Sequence, residues 1–382
     1  MRILHTSDWH LGRIFHGLHL THDQAHILEQ FVDLIKEVKP HMILVAGDIF
    51  DRSVPPTEAV NLLDDVLSKI LMDHRIPIII IAGNHDSPDR LGFGYRLLQD
   101  RGLIIAGKLA MDTKPFIVED QHGEVAFHRI PYVEPAVIRE KLEDAQIHSH
   151  DEAMYKLIQH VSKGIDKNKR HVLIAHAFVA GGNESESERP LSVGGTGIVD
   201  PSYFKDFDYV ALGHLHKPQT MGDGRIHYSG SLMKYSFSEA NHQKQVTLIE
   251  LGQKGELRLE GIALKPKKDL RCIQGYLRDL LKGPLNGESK DDYLMVSLND
   301  EGAILDAMGK LRKVYPNILH IERPQITPQG NLVRAHGDFK KMNELDLFSS
   351  FISQVTEKEI THDQKKVMSN TLNTYYQTLK GE

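Results

Sequence analysis

This chain of 382 residues has a single cysteine, no long apolar run and no excess of basic residues. Cys272 is the only cysteine, so no disulfide can form within the chain, and a cytoplasmic protein is expected. The longest apolar run, residues 76–82, is far shorter than the roughly 20 residues that cross a bilayer. The first residues enter a strand directly, without the basic and apolar regions of a secretion signal. We therefore expect no membrane association.

Basic residues do not outnumber acidic ones. Lys and Arg total 46 against 52 Asp and Glu, which gives a formal net charge of −6 with His counted neutral. A nucleic-acid-binding surface is usually basic, so the composition argues against a DNA substrate. The objection is limited, because metal ions bind phosphate locally and a partner could supply basic surface. A Walker A phosphate-binding loop is also absent, so any need for ATP would be a property of a partner.

Strands and helices alternate over the first hundred residues, which predicts a parallel sheet covered by helices. The later strands are shorter and more consecutive, and the last two of them could close a second sheet. Strands are expected at residues 2–7, 42–46, 76–82, 103–106, 116–118, 125–129, 171–175, 209–212, 245–251 and 256–264, and helices near residues 22–39, 57–72 and 151–165.

A linker is expected at residues 266–269 from their charge and proline, and it divides the chain. Beyond it, strands at 293–298 and 318–321 and a helix at 301–315 predict a small α+β module. The expected domains are a catalytic domain at 1–268, an α+β capping domain at 269–338 and a helical tail at 339–382. The tail carries two apolar stripes, formed by Leu345, Leu347, Phe348, Phe351, Ile352 and Val355 and by Val367, Leu372, Tyr375, Tyr376 and Leu379.

Five short motifs rich in histidine and acidic residues close five apolar runs that are typical of buried strands. They are Asp8-Trp9-His10, Gly47-Asp48, Gly83-Asn84-His85, Ala175-His176 and Gly213-His214-Leu215-His216. Strand ends in an α/β sheet open onto one crevice, so these side chains are expected to meet there. Oxygen and nitrogen ligands without thiolates suit divalent ions that do catalytic work. Two such ions can clamp a phosphoester during its hydrolysis.

The order and spacing of these motifs resemble the calcineurin-like metallophosphoesterase superfamily. Five segments resemble its SbcD family of bacterial nuclease subunits: HTSDWHLGR, GDIFDRSVPP, GNHDSPDR, GHLHKP and SGSLMKYSFSEA. The resemblance is strong over roughly residues 1–250 and weak beyond them. It implies an α/β fold in which a two-sheet sandwich is flanked by helices. It also implies an exonuclease on double-stranded DNA and an endonuclease on single-stranded or hairpin DNA, active in repair and recombination. The implied partners are DNA, an SbcC-type ATPase and a second copy of the chain, as a homodimer within a heterotetramer.

The resemblance also implies a set of metal ligands and two Mn²⁺ ions. The implied ligands are Asp8, His10, Asp48, Asn84, His176, His214 and His216. Asn84, His176 and His214 would hold one ion, His216 would join Asp8 and His10 at the other, and Asp48 would bridge the two. The alternative is a structural role for each histidine. A lone His-x-His would favour that alternative, but five motifs in the family's order do not.

His85 follows a proposed ligand and is the candidate for a catalytic residue that does not bind metal. It would stabilise the phosphate or protonate the leaving oxygen. Phosphatases with a similar GDxxD pattern imply that Asp51 orients this histidine. A helix cap is the alternative role for Asp51, and Asp86 is a second candidate for orienting His85. Three glycines, Gly47, Gly83 and Gly213, are expected to let the backbone turn sharply before a ligand.

Further residues could line the crevice or bind partners. Arg13, Arg52 and Arg90 could lie on its rim, and Phe15 and Tyr235 could stack on an unpaired base.

The helix at 57–72 and a companion at 91–98 favour a dimer, or else they simply cover the sheet. The tail favours docking on the ATPase, with the catalytic domain as the other possible surface. A phosphatase or small-nucleotide phosphodiesterase remains the alternative function, and an assembly subunit with a structural metal site is a third.

Overall fold

The computed structural model describes residues 1–112, 114–191, 197–284, 287–300, 304–323, 345–346, 348–349, 352 and 360–379; for 373–379 it describes the backbone alone. The chain divides into two compact units, Met1–Glu322 and Arg323–Glu382. The first unit contains all of the predicted site residues.

The strands of the described residues are β1 (Arg2–Thr6), β2 (Ile14–Phe15), β3 (Leu18–His19), β4 (Met42–Ala46), β5 (Ile78–Ile81), β6 (Leu103–Ala106), β7 (Phe116–Asp120), β8 (Gly123–Ile130), β9 (Arg170–His176), β10 (Phe178–Val179), β11 (Ile198–Val199), β12 (Tyr209–Gly213), β13 (Gln219–Met221), β14 (Ile226–Tyr228), β15 (Gln245–Leu251), β16 (Leu257–Ala263), β17 (Leu270–Gly275), β18 (Tyr293–Leu298) and β19 (Ile318–Glu322). The α-helices are α1 (Thr21–Val38), α2 (Thr57–Ser68), α3 (Pro88–Leu91), α4 (Tyr95–Leu98), α5 (Pro135–Leu142), α6 (His150–Ser162), α7 (Leu277–Leu280), α8 (Ala307–Arg312) and α9 (His362–Leu379).

Two sheets form the centre of the first unit, each with six of the described strands, in the orders β16-β15-β1-β4-β5-β6 and β13-β14-β12-β9-β8-β7. Four neighbouring strands run parallel in each sheet, and the remaining strands are antiparallel. The expectation that residues 245–264 close a second sheet is wrong. Strand β15 instead pairs with β1, so that β15 and β16 extend the first sheet. Their short connection makes them antiparallel neighbours of each other, and tertiary packing selects β1 as the other neighbour of β15.

The two sheets pack face to face through apolar side chains such as Ile3, Leu44 and Phe127. Helices α1 and α2 cover the outer face of one sheet, and α5 and α6 cover the other. This confirms the two-sheet sandwich flanked by helices. Because the parallel strands of each sheet end at the same edge, the loops after β1, β4, β5, β9 and β12 open onto one crevice.

The predicted helix at 91–98 is instead two short helices, α3 and α4. Gly92 and Gly94 separate them, since glycine costs about 1 kcal/mol in a helix interior. Helix α2 ends at Ser68 and continues as a π-helical turn over Lys69–His74. Several short elements were not predicted: β2, β3, β10, β11, β13, β14, β17, α5 and α7.

The region after the predicted linker forms a third, three-stranded sheet in the order β17-β18-β19, with α7 and α8. Its own core contains Val296, Leu311 and Ile318. Tyr293 donates a hydrogen bond from its hydroxyl to Asp23 Oδ2 at 2.9 Å, which joins this sheet to α1. The sheet therefore belongs to the first compact unit, while domain boundaries at 268 and 338 stay predictions.

In the tail, α9 covers the second predicted stripe. Half of the first stripe falls outside the described residues, which omit Leu347, Phe351 and Val355. Within the described part of the chain, no helix is long and apolar enough to cross a membrane.

Candidate metal centre

Two groups of ligand atoms meet in the crevice. Asp8, His10 and His216 offer atoms within 4.8 Å of one another, and so do Asp8, Asp48 and His176. All five side chains are buried. Asp48 Oδ2 lies 3.7 Å from His10 Nε2 and 3.6 Å from His176 Nε2, so it stands between the two groups. The strand ends thus bring together residues that are more than 200 positions apart in the sequence.

The nitrogen and oxygen atoms of these groups have the spacing of ligands around an ion. His10 Nε2 and His216 Nε2 are 3.0 Å apart, and His176 Nε2 is 2.9 Å from Asn84 Oδ1. Two nitrogens bound at about 2.1 Å and at a right angle to each other stand about 3 Å apart. His214 Nε2 is buried and has no hydrogen-bond partner among the described residues. A buried polar atom of that kind needs a partner, and a metal ion would supply one.

Hydrogen bonds leave one ring nitrogen of His176 free to bind an ion. Its Nδ1 lies 2.9 Å from the carbonyl oxygen of Ala46 and must donate to it, so the lone pair is on Nε2. His214 is held differently, since its backbone N–H donates to the two carboxylate oxygens of Asp8 at 3.0 and 3.2 Å. The ring of His214 lies beside that of His176, with centroids 5.6 Å apart.

Burial sets the charge of these groups. Burial and the neighbouring Asp48 raise the pKa of Asp8 well above its ordinary value. Burial lowers the pKa of His10, His176 and His214. Neutral imidazoles are the form that binds a metal, and two adjacent buried carboxylates favour a cation between them. The donor set therefore fits divalent ions.

Four ligand candidates have a left-handed backbone: φ is 51° at Asp8, 45° at His10, 50° at Asp48 and 109° at His214. Such values are uncommon outside glycine, although Asp and His tolerate them better than most residues. The loops hold this conformation by pairing with each other. Asp8 N–H donates to Gly47 O at 3.0 Å, and His10 N–H donates to Asp48 O at 2.9 Å.

The three glycines before the ligands serve two different purposes. Gly47 has a φ of +90°, as the prediction of a sharp turn requires. Gly83 and Gly213 do not have positive φ, so the sharp-turn prediction is wrong for them. A Cβ on Gly213 would collide with the Ala46 carbonyl oxygen, and one on Gly83 would collide with the Asp48 carboxylate. Both are glycine because the backbone approaches its neighbours closely.

His85 is half-buried at the edge of the two groups. Its Nδ1 lies 2.7 Å from the backbone carbonyl oxygen of Asp51, to which it must donate. Its backbone N–H donates to Asp48 Oδ1 at 2.8 Å. Asp51 therefore contacts His85 through its main chain, whereas its carboxylate pairs with Arg13 Nη1 at 2.9 Å.

Asp86 does not orient His85. Its carboxylate accepts hydrogen bonds from the backbone N–H groups of Ile49, Phe50 and Gly83, at 2.9 to 3.1 Å. It therefore ties the loop after β4 to the loop after β5, which keeps Asp48 and Asn84 beside each other.

A third group of possible ligands consists of His10, Asp51 and His85. The guanidinium of Arg13 already pairs with the Asp51 carboxylate, and a nearby cation disfavours a metal ion.

The idea that Tyr235 stacks on a base is wrong, because its side chain is buried, with its ring 5.4 Å from that of His10. Arg52 and Arg90 are exposed, as rim residues would be.

Several buried polar residues beside the crevice were not predicted. Gln24 Nε2 donates to the carbonyl oxygens of His10 at 2.7 Å and of Trp9 at 3.2 Å, and its Oε1 accepts from Gly12 N–H. Nothing in the sequence distinguishes this glutamine from an exposed helix residue. Ser187, Glu188, Glu239 and Lys244 surround His216. Glu239 lies in the segment SGSLMKYSFSEA, which was already noted for its resemblance, whereas Ser187 and Glu188 lie in the loop after β10.

Two families match this sequence. Residues 1–218 match the calcineurin-like phosphoesterase family, and residues 266–356 match the SbcD_C family, described as type 5 capsule protein repressor C-terminal domain. The chain is 33% identical over 372 residues to a Staphylococcus epidermidis protein that is named as the D subunit of the SbcCD nuclease. That alignment covers 97% of this chain and 98% of the relative.

Two solved structures are more distantly similar. A protein of Thermus thermophilus is 15% identical, with 68% of this chain and 98% of that chain covered and a TM-score of 0.38. A dimetal phosphatase from Danio rerio is 13% identical, with 70% and 97% covered and a TM-score of 0.42. Structural similarities with TM-scores this low support no conclusion about the site. The family match over residues 1–218 and the nearly end-to-end relative show that the chain belongs to the calcineurin-like phosphoesterases and, among them, to the SbcD nuclease subunits.

Proposed function

We propose that this chain cleaves phosphodiester bonds in DNA with two divalent ions, as the nuclease subunit beside an SbcC-type ATPase. The observation that carries the proposal is the pair of ligand groups that share Asp8 and are joined by Asp48. The Staphylococcus epidermidis relative, which is named as part of a nuclease, supports the substrate class and the partner. Exonuclease and endonuclease action in DNA repair and recombination are part of the same proposal.

The proposed ligands are Asp8, His10, Asp48 and His216 on one side, and Asn84, His176 and His214 with the shared carboxylates on the other. Mn²⁺ is the proposed metal, because a mixture of carboxylate, amide and imidazole donors without thiolates suits it. Bound ions would neutralise phosphate charge and make hydroxide available near neutral pH.

His85 is the proposed catalytic residue that does not bind metal. Because its Nδ1–H is held by the Asp51 carbonyl, its Nε2 is the nitrogen left for the substrate. In the imidazolium form, its Nε2–H can stabilise the charge that develops on the phosphate or pass its proton to the leaving 3′ oxygen, which leaves His85 neutral. Asp51 is proposed to orient it through the main chain, and the Asp51 carboxylate holds Arg13 on the rim.

The test is cleavage by the purified full chain, stripped of metal and given MnCl₂. Linear duplex DNA, single-stranded DNA, hairpin DNA, a cyclic nucleotide and p-nitrophenyl phosphate are the substrates, each with and without the ATPase. We expect Mn²⁺-dependent cleavage of DNA that a chelator abolishes. Turnover of the small esters with none of the DNA substrates, even with the ATPase, would instead identify a phosphatase or small-nucleotide phosphodiesterase.

A homodimer is also proposed, through residues 91–98 rather than through the buried face of the helix at 57–72. Leu63, Val66 and Ile70 are buried in the core beneath the sheet, so they cannot face a second copy. Phe93 and Leu97, beside and within α4, are 87% and 83% exposed. Large apolar side chains exposed to this degree commonly mark an interaction site.

Leu97→Glu is expected to convert a dimer into a monomer, because a charge would be buried in the apolar contact. Sedimentation velocity at micromolar concentration measures it. Leu305→Glu is the matched control, since Leu305 is an equally exposed leucine of the C-terminal sheet region. A monomeric wild-type chain would end the dimer proposal.

Deleting residues 340–382 is expected to leave Mn²⁺-dependent cleavage by the isolated chain nearly unchanged while abolishing co-purification with the ATPase. These residues belong to the second compact unit, and the ligand groups belong to the first. Amphipathic helices such as those expected in the tail need another surface to be stable, and the coiled-coil base of an SbcC-type ATPase is proposed to supply it. If the truncated chain still binds the ATPase, residues 269–338 become the proposed docking element.

A further inference from the structure

The imidazole of His216 is hydrogen-bonded to a buried series of polar side chains that are not among the proposed metal ligands. Its Nδ1 lies 2.6 Å from Ser187 Oγ, and Ser187 Oγ lies 2.5 Å from Glu239 Oε1. Glu239 Oε2 accepts a hydrogen bond from Lys244 Nζ at 2.5 Å. All four residues are buried, and Glu239 is completely so. Removing an ammonium and a carboxylate from water is costly, so a pair in this place calls for an explanation beyond stability.

The charge of Lys244 determines which group donates and which accepts in each hydrogen bond of this series. An ammonium group can only donate and a carboxylate can only accept, so the Ser187 hydroxyl donates to Glu239. The oxygen of Ser187 must then accept, and His216 must donate to it from Nδ1. An imidazole protonated at Nδ1 keeps its lone pair on Nε2, the atom that lies 3.0 Å from His10 Nε2.

The same residues also fix the main chain of His216. Lys244 Nζ donates to the His216 carbonyl oxygen at 2.7 Å, and Glu188 Oε1 accepts from the His216 N–H at 2.7 Å. Lys244 donates its remaining proton to Ser231 Oγ at 2.8 Å, so all three of its protons are used. Two loops therefore converge on this one histidine: the loop after β10, which contains Glu188, and the connection between β14 and β15, which contains Ser231 and Lys244.

We propose that Ser187 and Glu239 are positioning residues for His216, and that Lys244 is the buried counterion that holds Glu239 in place. The proposal rests on the two-metal function, because it gives His216 a tautomer with Nε2 facing an ion. Groups that hydrogen-bond to a ligating histidine orient its ring and raise its basicity. The hydrogen-bonded connection between Glu239 and His216 runs through the Ser187 hydroxyl, while Glu239 Oε1 itself lies 3.5 Å from His216 Nδ1.

Ser187→Ala tests the proposal, because it breaks this connection while leaving the Glu239–Lys244 pair intact. Titration of MnCl₂ into the metal-stripped full chain, followed by calorimetry, measures the affinity of each ion. We expect one of two ions to bind about 10–100-fold more weakly, the usual effect of losing such a group. Ser185→Ala is the matched control. It removes a hydroxyl from the same loop, and that hydroxyl has no hydrogen-bond partner among the described residues.

A thermal unfolding curve of each metal-free variant separates positioning from a merely structural role. If Ser187→Ala lowers the melting temperature but binds both ions with wild-type affinity, the proposal is overturned. Should this variant fail to fold, Ser187→Cys supplies the result. Its thiol is a weaker hydrogen-bonding group of similar size, and an intermediate affinity is expected from it, whereas an unchanged affinity would overturn the proposal. A wild-type chain that binds fewer than two ions would overturn this proposal and the two-metal function together.

Discussion

His85→Gln is expected to slow DNA cleavage by about 10²–10⁴-fold while both metal ions stay bound, since a positioned acid or base contributes on that order. The structure supports a role outside the metal shell. Nδ1 of His85 is occupied by the Asp51 carbonyl, and neither of the two ligand groups joined by Asp48 includes His85. Single-turnover cleavage of a duplex substrate gives the rate, and elemental analysis of the purified variant gives the metal content.

His19→Gln is the matched control for this prediction. His19 is an exposed histidine in the hairpin formed by β2 and β3, and its replacement should leave the cleavage rate and the metal content at wild-type values. Loss of one ion from His85→Gln would make His85 a ligand. The group formed by His10, Asp51 and His85 would then be the true second site.

Asp48→Asn is expected to reduce cleavage by at least 10²–10³-fold, roughly the effect of losing one electrostatic group at a reacting centre, and to weaken the binding of at least one ion. Asparagine is the informative replacement for a structural reason. The φ of Asp48 is 50°, a conformation that Asn tolerates and Ala does not, so the fold should be kept. The amide oxygen can also still accept the hydrogen bond from the His85 N–H. Calorimetric titration with Mn²⁺ and the cleavage assay measure the two effects.

Asp208→Asn provides the comparison for Asp48→Asn. Asp208 is also buried, and its carboxylate accepts the His171 N–H at 2.7 Å at the other end of the strands. The same change of charge there should leave cleavage and both affinities unchanged. Wild-type cleavage and two tightly bound ions in Asp48→Asn would contradict the bridging role.

The strands that hold the site could be predicted because their sequences are continuous apolar runs. Strand β4, which precedes Asp48, begins and ends at the predicted residues for this reason. Strands β13 and β14 have three residues each, too few to establish a period. Strand β17 follows charged residues that were interpreted as linker, and its apolar positions are few. The partner of β15 depends on tertiary packing, so the apolar pattern of its sequence left the choice of sheet open.

The places of the candidate ligands at strand ends predicted that these side chains would meet in one crevice, and the structure brings them together there. Their assignment as seven metal ligands came from the family resemblance and stays a proposal. The groups that orient them were harder to find. Ala46 and Asp51 hold His176 and His85 through carbonyl oxygens, and every residue type has one. Gly213 is required by the approach of a neighbouring strand, which no local sequence pattern reveals.

The left-handed backbone at Asp8, His10, Asp48 and His214 has an evolutionary consequence. Conformations of this kind persist only where the surrounding structure enforces them, at a cost of order 1–3 kcal/mol each. Selection for the reaction is what retains these side chains, since glycine would relieve the backbone at all four positions. A descendant that kept its assembly role but no longer cleaved DNA would be free of that selection. Its sequence is expected to drift towards glycine or asparagine at these positions first, so inactive relatives should be recognisable there before the rest of the fold has changed.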